Sequence, residues 1–138
     1  MKIAELIGKS GDSELLGYEY VNNVLNVRME VPDIDAKVEL TIQTECVSSR
    51  FNPEGGVSAN TCFLELVELG EVCCLDENGI IVPPDGFTGM MQQAREGYHL
   101  VYGQRLKETP YLLRLKGNVP LLVCAIRSLD EIGWEVKE

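Results

Sequence analysis

Between Val24 and Cys46 the chain keeps a rhythm of two. Leu25, Val27, Met29 and Val31 alternate with Asn26, Arg28 and Glu30. After Pro32-Asp33-Ile34-Asp35 the pattern resumes: Val38, Leu40, Ile42, Thr44 and Cys46 alternate with Lys37, Glu39, Thr41, Gln43 and Glu45. Successive residues of a strand point to opposite faces, so this period demands strands with one face in a core and one in water. Upstream, Leu16–Val21 is joined to Val24–Val31 by Asn22-Asn23, and asparagine tolerates the positive φ of a two-residue hairpin turn. The spacing predicts an antiparallel meander over residues 16–47. Cross-strand pairing of Arg28 or Lys37 with Glu39 or Glu45 would add well under about 1 kcal/mol.

The flanking segments complete a fold class. Ile3, Leu6 and Ile7 can line one face of a short first helix that Ser10-Gly11-Asp12-Ser13 ends. Residues 48–60, with Pro53, Gly55 and Gly56, read as an exposed loop. Thr61–Leu69 reads as a more central strand. Val72–Leu75 and Ile80–Val82 flank the hairpin signal Asp76-Glu77-Asn78-Gly79, and Pro83-Pro84 stops the second of them because proline cannot donate to the ladder. Asp85 can cap a main helix with Phe87, Met90, Met91, Ala94 and Tyr98 at helical spacing and Gly97 at its end. His99–Leu106, Tyr111–Lys116 and Leu121–Arg127 read as strands, with Gly117-Asn118 turning between the last two. Ser128-Leu129-Asp130-Glu131 has capping-box spacing for a brief helix before Trp134. The expected class is α+β: a mostly antiparallel sheet, an N-terminal meander plus later hairpins, with one main amphipathic helix packed on it.

The chain has 138 residues, the size of one domain, and we expect a single α+β domain over 1–138. The N-terminus lacks a signal-peptide apolar core, and no segment approaches the ~20 apolar residues of a membrane span. The five cysteines (Cys46, Cys62, Cys73, Cys74, Cys124) are odd in number and lack CxxC spacing. Buried, unbridged thiols and a cytoplasmic location follow.

Charge is unevenly distributed. Net charge is −10, from 22 acids and 12 bases. Phe51–Ala94 holds Glu54, Glu65, Glu68, Glu71, Asp76, Glu77 and Asp85 with no Lys or Arg, whereas Arg95–Arg127 is mostly basic. This balance disfavours binding to nucleic acid or anionic membranes by bulk electrostatics, since phosphate binding needs clustered Lys and Arg, and we expect neither as a partner.

Motifs for chemistry are sparse. His99, the only histidine, could act as a base or activate a thiol, but no cysteine-protease signature surrounds any cysteine. The cysteine spacing does not suit zinc. Asp33-x-Asp35 and Asp76-Glu77-Asn78 do not match the twelve-residue calcium loop. Glu65 and Glu68 fall on opposite faces of a strand, unlike the facing carboxylates of a glycosidase. Gly55-Gly56 and Gly86-x-x-Gly89 lack the lysine and order of phosphate loops. The expectation is no catalytic residue, no metal and no cofactor.

The reading this leaves is a non-catalytic binding or inhibitor protein. Its acidic surface, Glu65, Glu68, Glu71, Asp76 and Glu77, would dock a basic protein partner. One concrete form, suggested by composition and not by a motif, is a bacterial immunity protein that neutralises a cationic toxin. Two alternatives stand beside it. One is a small enzyme or ligand-binding domain whose pocket is formed by Tyr98, His99, Tyr102 and Arg105. The other is a subunit of a homo-oligomer, the chain being a monomer or a homodimer, since exposed sheet edges can pair about a symmetry axis.

Overall fold

In a computed structural model, which describes residues 1–49, 61–84, 97–117 and 120–137, Asn22 and Asn23 turn the chain with φ of 53° and 63°. Two positive φ values in a row are what a type I′ hairpin turn requires. They join β1 (Ser13–Val21) to β2 (Val24–Val31), in register from Val21↔Val24 outward. A 3-10 turn, Pro32–Ile34, and Asp35 at φ 49° lead into β3 (Ala36–Gln43), completing the meander. Leu25, Val27, Met29, Val31, Val38, Leu40 and Ile42 are each no more than 2% exposed, so the alternation reports the core face faithfully. Register sets Arg28 opposite Glu39 and Lys37 opposite Glu30.

The third strand was expected to run to Cys46, but it ends at Gln43. Thr44 is buried, and its hydroxyl donates to the Ala125 carbonyl and accepts from the Cys46 N–H. The Tyr20 hydroxyl donates to the Thr44 carbonyl at 2.8 Å. These bonds turn the chain into a new strand, β4 (Cys46–Ser49), which pairs elsewhere.

The remaining strands are β5 (Thr61–Glu68), β6 (Cys74–Leu75), β7 (Ile81–Val82), β8 (Tyr111–Lys116), β9 (Pro120–Ile126) and β10 (Ile132–Lys137). Eight of them form one antiparallel sheet, ordered β10-β3-β2-β1-β5-β8-β9-β4, and β6 and β7 form a separate hairpin. This order dictates curvature. β3 and β4 stand second and eighth, six strand spacings apart, yet only Thr44 and Glu45 connect them. In a flat sheet the gap would be about 29 Å. Three residue steps reach about 11 Å at most. The sheet must therefore curl until its ends approach. A bulge in β1 between Leu15 and Gly17 contributes, since bulges bend strands.

The curl encloses one core. Leu25, Leu40 and Ile42 from one half meet Leu64, Leu113, Leu122 and Cys124 from the other. The first helix, α1 (Ile3–Gly8), adds the fully buried Leu6. Ser10, also buried, ties that helix to β5: its hydroxyl accepts from Leu64 N at 2.8 Å and donates to Ile7 O at 2.6 Å.

A second apolar cluster lies on the outer face of β5, β8 and β9. Val67, Leu112, Val123 and Ala125 pack there against Leu69, Ile81 and Val101. Those last three belong to an excursion between β5 and β8 that carries α2 (Leu69–Val72) and the β6–β7 hairpin. Gly97, at φ +88°, sits so close to Val123 that a Cβ would lie 2.5 Å from its Cγ1.

Several expectations change. Val72 belongs to α2, so the first arm of the later hairpin shrinks to Cys74–Leu75. His99–Leu106 is not a strand but a 3-10 turn (Tyr98–Leu100) followed by turns. Its Tyr98, Val101 and Tyr102 reach the second cluster at spacings of three and one, and Gly103 at φ +89° breaks any extended run. Residues 85–96 lie outside the described residues, and with them Asp85, Phe87, Met90, Met91 and Ala94 of the expected main helix. Among the described residues no helix exceeds the six of α1, and Tyr98 is in the 3-10 turn. The brief helix at Ser128 is a 3-10 turn, Leu129–Glu131, whose Asp130 N–H donates to Ser128 Oγ. Beyond it β10, unforeseen, pairs along β3.

Thr44→Val keeps the shape of the corner but removes its hydroxyl, leaving the Cys46 N–H and Ala125 carbonyl without that partner. Urea unfolding should show a loss of about 1–3 kcal/mol, whereas Thr41→Val on the exposed face should stay within about 0.5 kcal/mol.

Candidate functional site

The five acids expected to form one docking face have different fates. Glu65 lies opposite Arg114 of β8 and forms an ion pair with it. Arg114 is 7% exposed, its Nε has no acceptor, and Glu65 is its carboxylate counter-charge. Glu65 is therefore committed inward, a role that depends on a base 49 residues away and is invisible along the chain. Glu68, three residues on, pairs with Tyr111 on the opposite strand face and is exposed. Glu71 on α2 and Asp76 and Glu77 in the β6–β7 turn are also exposed. Asp76 has a structural duty as well: its Oδ1 accepts from Asn78 N at 2.8 Å and Ile80 N at 2.9 Å, closing the turn. Among these acids stand two exposed apolar side chains, Val72 at 54% and Leu75 at 42%.

Of the alternative pocket residues, Tyr98 and Tyr102 line a hollow of about 160 Å³ beside Cys73 and Pro84. His99 and Arg105 are exposed, and neither lines that hollow. The Tyr102 hydroxyl is buried without a partner, and burial, with Cys73 nearby, raises its ionisation above the ordinary tyrosine value. All five cysteines are free. Burial pushes the Cys62 thiol up to about 11 and the Cys124 thiol to about 12. Cys73 is raised too, by burial and then by Cys74, whereas Cys74 is exposed.

A second cleft, of about 340 Å³, was not anticipated. It opens where the Asn22-Asn23 turn, the Thr44–Cys46 corner, the 104–109 turn and the end of β9 converge. Gln104 fixes its wall. Its Nε2 donates to Leu100 O and Cys46 Sγ, both at 2.9 Å, and its Oε1 accepts from Thr109 Oγ1 at 2.7 Å. Glu45, Glu108 and Glu131 line the cleft together with one base, Arg127. Among the described residues no ion pair engages any of the four. Glu45 is in the corner, Glu108 in a turn, Arg127 just past β9 and Glu131 in a 3-10 turn, so only the curl of the sheet brings them together. No three carboxylate, thiol or imidazole groups among the described residues stand close enough to hold a metal ion.

With this geometry in view, likeness to known proteins becomes informative. The chain is 26% identical over 136 residues to the Immunity protein RhsIC of Dickeya dadantii (strain 3937), spanning 96% of this chain and 92% of that protein. No family model matches the chain, and no solved structure does. Among the described residues no helix is long and apolar enough to cross a membrane.

Two measurements check the site. Glu65→Ala leaves a buried guanidinium unpaired; because Glu65 is about one-third exposed, chemical denaturation should show a loss of about 2–4 kcal/mol, below the fully buried case. Glu68→Ala and Glu71→Ala should change stability by less than about 0.5 kcal/mol. For the thiols, Cys74 should react with a disulfide reagent at pH 8 while Cys62 and Cys124 stay protected. Unfolded thiols ionise near 9, before the native Cys62 and Cys124. Their contribution to stability is therefore full below about pH 9 and lost as pH rises towards 11–12. Thermal melts should record that decline, and Cys62→Ala/Cys124→Ala should flatten it.

Proposed function

We propose that this chain is an immunity-type protein: a non-catalytic, cytoplasmic inhibitor that binds a protein toxin and neutralises it. The observation that carries the reading is the likeness to Immunity protein RhsIC, which runs nearly the full length of both chains. The surface offered to the toxin is the strip formed by Glu68, Glu71, Asp76 and Glu77, with Val72 and Leu75 among them, and the partner's matching face is basic. Exposed apolar side chains bordered by charge supply what a docking surface needs: desolvated contact at the centre, and steering with selectivity at the rim. Glu65 is left out of this surface because it is the counter-charge of Arg114.

Co-expression with the polypeptide encoded beside this chain's gene tests the reading. That polypeptide alone should arrest bacterial growth, and this chain should restore it. Glu68→Gln/Glu71→Gln/Glu77→Gln should fold normally and slow toxin association at least tenfold at low salt, with the difference shrinking at high salt. A harmless neighbour, or arrest that persists despite this chain, would sink the proposal. Association unaffected by salt or by the triple substitution would remove the strip from it.

A further inference from the structure

The cleft at the corner between β3 and β4 holds charges whose partners are not among the described residues of this chain. Glu45 comes from the corner itself, Glu108 from the turn before β8, and Glu131 from the 3-10 turn before β10. Arg127 can neutralise one of the three carboxylates, so two stay uncompensated. A cleft lined by one sign of charge favours an entering cation. We propose that this cleft receives an arginine side chain from the protein partner, a deepening that rests on the reading of the chain as a protein that binds a toxin.

Three observations select that occupant. The first is the separation of the acids. They share one cleft, yet no three of them stand close enough to hold a metal ion. Acids spread in this way suit a planar guanidinium, which distributes five donors over several acceptors. The second is size. At about 340 Å³ the cleft is at the small end of ligand pockets, enough for one long side chain and its flanking backbone. The third is the lining. Asn22, Asn23 and Gln43 add amide groups to the carboxylates, while Ala125 and Ile126 offer a limited apolar patch. That combination suits a charged head on a methylene stem and gives a wholly apolar ligand little to bury against.

The wall is also pre-organised. Gln104 spends both its amide nitrogen and its oxygen on Leu100, Cys46 and Thr109, so it does not collapse into the space. The corner below is held by Thr44 and Tyr20. Side chains already fixed cost less entropy on binding.

The test titrates the whole protein with N-acetyl-arginine amide, followed by NMR at the side-chain amides of Asn22, Asn23 and Gln43. Saturable shifts at these groups are expected, with affinity in the millimolar range typical of one charged contact. N-acetyl-glutamate amide should give none. Glu45→Gln/Glu131→Gln, with melting unchanged, should weaken the arginine probe at least fivefold, and Glu68→Gln/Glu71→Gln should leave it unaltered. Shifts that do not saturate, that persist in the Glu45/Glu131 variant, or that localise to residues 68–77 would overturn the proposal. The growth assay separates the two readings. If the wild type protects, Glu45→Gln/Glu108→Gln/Glu131→Gln should protect poorly; full protection by that folded variant removes the cleft and leaves toxin binding standing. If the wild type fails to protect, toxin binding falls, and with it the assignment of the occupant to a toxin.

Discussion

The architecture depends on a corner made of two residues. Thr44 and Glu45 connect strands that stand six places apart in the sheet, and backbone of that length cannot span a flat one. Closure is thus a constraint before it is a consequence of packing. Thr44 is buried where the ends meet, with its hydroxyl spent on Ala125 and Cys46 and its carbonyl on Tyr20. Once the ends meet, the inner faces of both halves confront one another, and a single apolar interior forms from Leu25, Leu40 and Ile42 on one side and Leu113, Leu122 and Cys124 on the other.

The two halves of the sheet are treated differently on the outside. The β10-β3-β2 portion presents Glu39, Lys37, Arg28 and Glu135 to water, as an antiparallel sheet with one wet face does. The β5-β8-β9 portion is covered by the excursion, so Leu112 through Leu115 of β8 are buried on both faces. Arg114 occurs in that doubly covered strand, which explains why it requires Glu65. The excursion is anchored by its own apolar residues and by backbone bonds such as Leu69 N to Pro110 O at 2.9 Å and Leu106 N to Gly79 O at 3.0 Å. Glu71, Asp76, Glu77 and the Gln104 wall of the cleft therefore belong to the same fastened segment.

What could be read along the chain was whatever is local. The Asn22-Asn23 turn, the alternation from Leu25 to Ile42, the short helix at Ile3 and the Asp76–Gly79 turn are determined by neighbours within a few residues, and each is present. Features that depend on distant partners were not legible. The Glu65–Arg114 pair, the corner at Thr44 and the convergence of Glu45, Glu108 and Glu131 all require knowing which strand lies beside which, and alternation gives faces without topology. Two local readings also failed for identifiable reasons. The run from His99 to Leu106 is rich in apolar residues, but positive φ at Gly103 and helical spacing of Tyr98, Val101 and Tyr102 make it compact. β10 carries Gly133 and charged neighbours that dilute its alternation, so its pairing with β3, not its composition, makes it a strand.

The acids between Glu65 and Glu77 are of two kinds. Glu68, Glu71 and Glu77 are exposed, while Asp76 closes a turn and Glu65 balances a buried guanidinium. If the chain meets a toxin as proposed above, its lineages can rewrite the first group at little cost to folding. The second group is held in place by the chain's own architecture, so the outer surface is free to drift over a chassis that stays still.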